Sequence, residues 1–212
     1  MPFGRKKERL EADLEVLRLR IAKEVQDTDA GIVCFTGLGP GAGVTTIASW
    51  MAQAFAREGR PVLLVEANSA TPRLHEGLRV PRYPGAAEVL EGRAEAAQAI
   101  HRVDGTGLSV LLCGAWKGSG GPYSTERWTA LFNQVRADGG LVIVDAGVCD
   151  APVGLAVAAA SDLAVLVVQA GRTRWEAAAA AVDRLKHQGA VVLGVVLNKR
   201  RYPVPELVYR GL

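Results

Sequence analysis

Cysteine, histidine and methionine are scarce in this chain, with three, three and two residues among 212. Cys34, Cys113 and Cys149 are odd in number, far apart and set in apolar strand-like segments. They read as small buried side chains in a reducing compartment and speak against a disulfide framework. His75, His101 and His187 have no ligand-spaced partners, so no metal site is assigned to them. No apolar run approaches the roughly 20 residues that span a bilayer. The opening Met1-Pro-Phe-Gly-Arg-Lys-Lys-Glu-Arg9 lacks the apolar core of a signal peptide. Charge of one sign is not in excess either: 25 basic against 22 acidic residues give no ground for a nucleic-acid partner. What remains is a chain with 49% hydrophobic residues, long enough for one substantial core. The cytoplasm is the expected location, with peripheral attachment at the inner face of the cell membrane left open.

The most telling absence is a single lysine. Phe35-Thr-Gly-Leu-Gly-Pro-Gly-Ala-Gly-Val-Thr-Thr46 has the glycine spacing of a phosphate-binding loop, in which backbone amides cradle phosphate oxygens and a lysine reaches the β- and γ-phosphates. Gly41, Ala42, Gly43, Thr45 and Thr46 supply the loop, the helix start and the hydroxyls, but Val44 stands at the lysine position. A helix N-terminus and open amides favour an anion even without that cation. The same glycines also suit a tight strand-to-helix turn that binds nothing.

Around this loop, short apolar runs alternate with helical patterns. Residues 32–36, 62–65, 109–112, 141–144, 163–168 and 191–197 are rich in Val, Leu and Ile, as expected of strands buried on both faces. Helices are expected over 45–58, 86–100, 125–138 and 173–188. The alternation predicts an α/β fold: a doubly wound, mostly parallel sheet flanked by helices. Ahead of it, Leu10, Leu14, Leu17, Ile21 and Val25 recur at helical spacing and mark an amphipathic helix over 5–26, broken by Asp27-Thr-Asp-Ala-Gly31. Three units follow: helix and linker over 1–30, the main domain over 31–198, and a short basic tail over 199–212 expected to pack along the surface.

Two acidic residues close adjacent strands. Asp145, after three β-branched residues, is placed to hold Mg²⁺ together with the Thr45 hydroxyl, or simply to cap the following turn. Glu66 ends the second strand and is a weaker candidate, because its longer side chain displaces the carboxylate. Asn198 closes the last strand and could read a base edge or serve as a turn residue.

In this order the pieces resemble the cytoplasmic domain of bacterial tyrosine autokinases, of the wider P-loop class that includes partitioning and division-site ATPases. The resemblance rests on Leu14-Glu-Val-Leu-Arg-Leu-Arg-Ile21, Pro40-Gly-Ala-Gly-Val-Thr-Thr46, the run from Val62 to His75 with Pro72 and Leu74, Gly85-Ala-Ala-Glu-Val-Leu90 and Val195-Val-Leu-Asn198. Against the family pattern, Val44 replaces lysine, while Glu66 and Asn68 replace two aspartates. Thr71 replaces arginine, and Asp145-Ala-Gly-Val148 replaces Asp-Thr-Pro-Pro. Of the family's oligomerisation motif in the leading helix only Arg18 is kept. The tyrosine-rich tail is missing, since Tyr202 and Tyr209 form no cluster.

The resemblance implies a cytoplasmic partner of a membrane polysaccharide co-polymerase in exopolysaccharide or capsule synthesis. The coordinated departures imply a catalytically degenerate member, in which Glu66 and Asp145 are vestigial and ATP or ADP with Mg²⁺ binds weakly or not at all. One alternative is an active ATPase or autokinase, with Glu66 as the acid and Arg73 supplying charge. Another is a partitioning-type positioning ATPase, disfavoured because Gly39 stands where such proteins carry a second lysine. The basic N-terminus and the apolar stripe of the leading helix are the expected docking surfaces, including for a homo- or hetero-oligomer, although such a stripe is more often packed on its own domain.

Overall fold

The computed structural model describes residues 3–28, 31–118, 121–136 and 140–200. The expected tail lies, beyond Arg200, outside the described residues, as do the side chains of the basic N-terminus. Helix α1 (Phe3–Thr28) leads into strand β1 (Ile32–Gly37), α2 (Val44–Arg57) and β2 (Val62–Glu66). Three short helices follow, α3 (Leu74–Leu78), α4 (Ala86–Leu90) and α5 (Ala96–Ala99), then β3 (Ile100–Val103), β4 (Leu108–Leu111) and α6 (Thr125–Val135). The remainder is β5 (Leu141–Val148), α7 (Pro152–Ala159), β6 (Leu163–Gln169), α8 (Trp175–His187) and β7 (Val192–Asn198).

The strands form one sheet in the order β3-β4-β2-β5-β1-β6-β7, parallel except for the antiparallel β3–β4 pair. Every residue of β1 and β2 is buried, which explains their continuous apolar character. Two apolar cores lie against the sheet. One gathers Ile21 of α1, Ile47, Met51 and Phe55 of α2 and Leu74 of α3. The other gathers Trp128 and Phe132 of α6, Val157 of α7 and Leu185 of α8. The doubly wound, mostly parallel architecture is therefore the one expected. It brings the carboxyl ends of β1, β2, β5, β6 and β7 together at one end of the sheet, where crossover loops collect.

The segment 86–100 differs from its expected single helix. Gly92, at φ 68°, breaks it after α4, and Ile100-His-Arg-Val103 turns through Asp104-Gly-Thr-Gly107 into a hairpin with β4. Positive φ at Gly105 and Gly107 makes that reversal possible. Helices α3 and α7 also go beyond the sequence expectation. The first is a five-residue turn, and the second begins with Pro152 in its first turn and is so uniformly apolar that no polar face reveals its period.

Among the described side chains, the apolar stripe of α1 is already occupied within the chain and is not a docking surface. Leu14, Ile21 and Val25 are buried in the core shared with α2. Arg18 stacks 5.8 Å from the Phe55 ring centroid and pairs with Glu58 at 2.5 Å and Glu15 at 2.6 Å. A partner approaching α1 meets the opposite face, where Val16 and Leu19 are exposed. Truncating the fully buried Ile21 to Ala should cost about 2–4 kcal/mol in urea unfolding. The same change at exposed Leu19 should stay within about 0.5 kcal/mol.

Candidate functional site

The Gly-rich loop leaves the end of β1, the strand between β5 and β6. Its entry is fixed by Leu38 N–H donating to Val167 O at 3.1 Å and Cys149 N–H donating to Gly37 O at 2.9 Å. At its exit Gly43 takes φ 96° as the residue preceding α2, and any side chain there would collide with the Asn198 amide. Asn198 in turn donates through Nδ2 to Ala42 O at 2.8 Å, while its Oδ1 accepts Lys199 N–H at 2.8 Å. It clamps the loop, and both ends of its amide are engaged. Among the described residues no group accepts from the amides of Gly39, Gly41, Ala42, Gly43, Val44 or Thr45. With the N-terminus of a 14-residue helix behind them, these donors form an anion cradle.

Val44 turns inward. It is buried in the core with Ile47 and Phe35, and a methyl group on Gly37 would lie 2.6 Å from its Cγ2. The position from which a lysine would reach phosphate thus serves as the apolar floor of the loop. Thr46 points to solvent, whereas Thr45 is half-buried and donates through Oγ1 to Asp145 Oδ2 at 2.5 Å. The other carboxylate oxygen, Oδ1, accepts Gly147 N–H at 3.1 Å. Burial pushes the Asp145 carboxyl up to about 6 from its ordinary 3.8, and the nearby Glu66 charge adds to this. The Thr45 and Gly147 hydrogen bonds pull the other way.

Thr45 and Asp145 offer the hard oxygen donors that Mg²⁺ takes beside a nucleotide phosphate, next to open amides that suit the phosphate itself. Their chemistry fits that group; what the site lacks is the cation at position 44.

Glu66 and Asp145 are register partners on neighbouring strands, yet they do different things. Glu66 Oε1 accepts the amides of Arg73 at 2.7 Å and Leu74 at 2.9 Å, and Oε2 accepts Cys113 N–H at 3.3 Å. Both oxygens are thereby engaged in holding the start of α3 to the end of β4. Asn68 is likewise turned onto its own loop, exchanging hydrogen bonds with the Thr71 amide at 3.3 Å and hydroxyl at 3.1 Å. Arg73 contributes its backbone here, and its side chain is exposed.

A third carboxylate escaped the sequence reading. Glu88 is buried and accepts Gly85 N–H at 2.8 Å and Ala115 N–H at 3.1 Å, with Arg93 at 3.4 Å. Its signal was the capping-box interval from Gly85 to Glu88. The three cysteines are buried and unpaired, and desolvation pushes each thiol well above its ordinary value. A cleft of about 560 Å³ lies at the opposite end of the sheet, lined by Gly59, Arg60, Arg102, Gly107 and Val142 among others. It shares no residue with the loop.

No family model matches the chain. EpsB of Ralstonia nicotianae, which bears a tyrosine-protein kinase name, is 30% identical over 195 residues, covering 87% of this chain and 25% of EpsB. The tyrosine-protein kinase YwqD of Bacillus subtilis is 28% identical over 191 residues, covering 87% of this chain and 79% of YwqD. The chain thus spans about a quarter of EpsB but most of YwqD. The solved kinase domain of the Escherichia coli tyrosine kinase ETK superposes with a TM-score of 0.82 at 23% identity, over 91% of this chain and 77% of that one. The cell division ATPase MinD of Pyrococcus furiosus superposes at 0.71 with 20% identity, over 86% and 79%. Such structural likeness speaks for the fold.

The pKa of Asp145 sets a sign. The folded value exceeds the unfolded one, so stability falls as pH rises from about 4 to 6 and stays lower above that, by about 3 kcal/mol at pH 7. Asp145→Asn should therefore raise urea-unfolding stability at pH 7.5 by about 2 kcal/mol and flatten the pH dependence between 4 and 6. A variant less stable than the parent at pH 7.5 would contradict this. Glu66→Ala, which strands three amides, should cost about 3 kcal/mol or more, and Glu66→Gln distinctly less.

Proposed function

We propose, from its homology to bacterial tyrosine kinases, that this chain is a catalytically silent kinase-like protein. It acts in exopolysaccharide or capsule synthesis as the cytoplasmic partner of a membrane polysaccharide co-polymerase. The observation that carries the silent reading is the inward packing of Val44 against Gly37. A side chain embedded in the core cannot stabilise charge that develops on a transferring phosphoryl group. Glu66, with both oxygens on backbone amides, is not free to act as the missing acid.

The same reading keeps nucleotide binding within reach. The loop amides and the α2 N-terminus would hold the phosphates, and Thr45 with Asp145 would hold Mg²⁺. Bound there, the metal neutralises phosphate charge. The chain's own part is to orient the phosphates, with Asn198 keeping the loop in shape. The lost cationic contact weakens binding by about ten- to a hundredfold, from roughly 1.5–3 kcal/mol. Turnover suffers more, because the cation acts chiefly in the transition state.

A thermal-shift and calorimetric titration with ATP and ADP, with and without Mg²⁺, checks this together with a sensitive turnover assay. Binding without turnover is expected; ligand at a hundred times its dissociation constant adds about 2.7 kcal/mol of stability. Val44→Lys should tighten nucleotide binding by about ten- to a hundredfold. Turnover by the parent chain that Asp145→Ala abolishes would overturn the silent reading. Failure to co-purify with any polysaccharide-export component would overturn the partnership.

A further inference from the structure

The outer edge of the sheet carries an exposed surface that neither the fold nor the Gly-rich loop uses. Strand β7, Val192-Leu-Gly-Val-Val-Leu-Asn198, is the edge strand and has no charged residue. Edge strands ordinarily carry lysine, proline or a cover. Its register partners in β6 fix the direction of its side chains. Val195 pairs with Leu166 and Leu197 with Val168, and both partners point into the core beneath α7 and α8. Val195 and Leu197 therefore face the α8 side of the sheet, yet they are 48% and 55% exposed. On the same side, the first residue of α8 is Trp175, 76% exposed.

Cations surround these apolar groups. The turn that joins β6 to α8 is Gly171-Arg172-Thr173-Arg174, and both arginines are exposed. That turn is tied to the end of β7 by Ala170 N–H donating to Asn198 O at 2.8 Å. Exposed Lys199 follows directly, at φ 57°. Glu176 is the acidic neighbour, so three positive charges face one negative.

We propose that this patch docks on an anionic phospholipid surface, with Trp175, Val195 and Leu197 entering the headgroup region and Arg172, Arg174 and Lys199 meeting the phosphates. Tryptophan has an apolar body and a single N–H donor, which suits a water–lipid boundary. Each cation near such a surface strengthens attachment by about fivefold. A second copy is the poorer occupant, because a symmetric pairing of this face brings two cationic rims together. The docking is independent of whether nucleotide binds. It places the carboxyl end of the sheet, where the Gly-rich loop also lies, toward the membrane.

The test uses the full chain with protein-free vesicles of phosphatidylcholine, alone or with roughly one-third phosphatidylglycerol. Co-sedimentation is expected with the anionic vesicles only, weakened by salt. Replacing both Arg172 and Arg174 with Ala should weaken it about 25-fold, with the melting temperature unchanged because both side chains are exposed. The same double change at Arg57 and Arg60, at the other end of the sheet, should leave binding intact. Brominated lipid should quench tryptophan fluorescence in the parent and not in Trp175→Phe. Equal binding to neutral vesicles, or no binding to either kind, would overturn the proposal. So would quenching that persists in Trp175→Phe. Sedimentation with protein-containing membranes but not protein-free anionic vesicles would assign the patch to a protein partner and equally overturn it.

Discussion

A carboxylate held in the interior without a cation has to be answered by dipoles, and Asp145 sets that requirement for everything around it. Burial of an ionised group is tolerated only with hydrogen bonds directed at it. The Thr45 hydroxyl and the Gly147 amide supply them, from α2 on one side and from its own strand on the other. The main chain at the same residue does further work: Asp145 O accepts the amides of Ala67 at 2.9 Å and Asn68 at 3.1 Å. One residue therefore joins the start of α2, the ends of two adjacent strands and the loop that follows β2.

Glu66 and Glu88 solve a related problem. Loops at the carboxyl end of a parallel sheet leave backbone N–H groups pointing inward, and each needs an acceptor. Glu66 serves the amides of residues 73, 74 and 113, and Glu88 those of residues 85 and 115. Carboxylates that look like chemistry in the sequence are thus shared between chemistry and construction. Only Asp145, facing Thr45 at the mouth of the cradle, stands on the phosphate side. Val44 completes the division, since an apolar side chain at that point ties the loop to the core and leaves its amides exposed.

The central strands were legible because, buried on both faces, they read as unbroken Val, Leu and Ile runs. Strand β7 reads the same way and was expected to be buried on both faces, yet it is half-exposed because it forms an edge of the sheet. The loop was legible because its glycines sit at fixed intervals between a strand and a helix. Strand β3 was not, since Ile100-His-Arg-Val103 follows an Ala-rich helical stretch and only the glycines after it reveal the hairpin. Helix α7 was hidden for the opposite reason, having no polar face. At the site, Asp145 was singled out as the acid that ends a strand and Thr45 as a hydroxyl at the helix start, and the fold brings the two within a hydrogen bond. The sequence could not show that Glu66 turns to three amides, or that Arg18 folds back onto Phe55, because both depend on residues brought close by the tertiary fold. The stripe on α1 was read correctly as apolar, but periodicity alone cannot say whether the surface it meets belongs to the same chain.

The hydrogen bond from Asn198 to the carbonyl of Ala42 spans 156 positions of sequence. During synthesis the glycines emerge early, while the residue that holds their exit in shape emerges near the end of the domain. At elongation rates of roughly 5–20 residues per second, the nascent loop waits about 8–30 seconds for its clamp. Strands β1, β2 and β5 can be paired well before then. The exit of the cradle therefore cannot take its final form until β7 has emerged, when the strands that flank the loop are already available to pair.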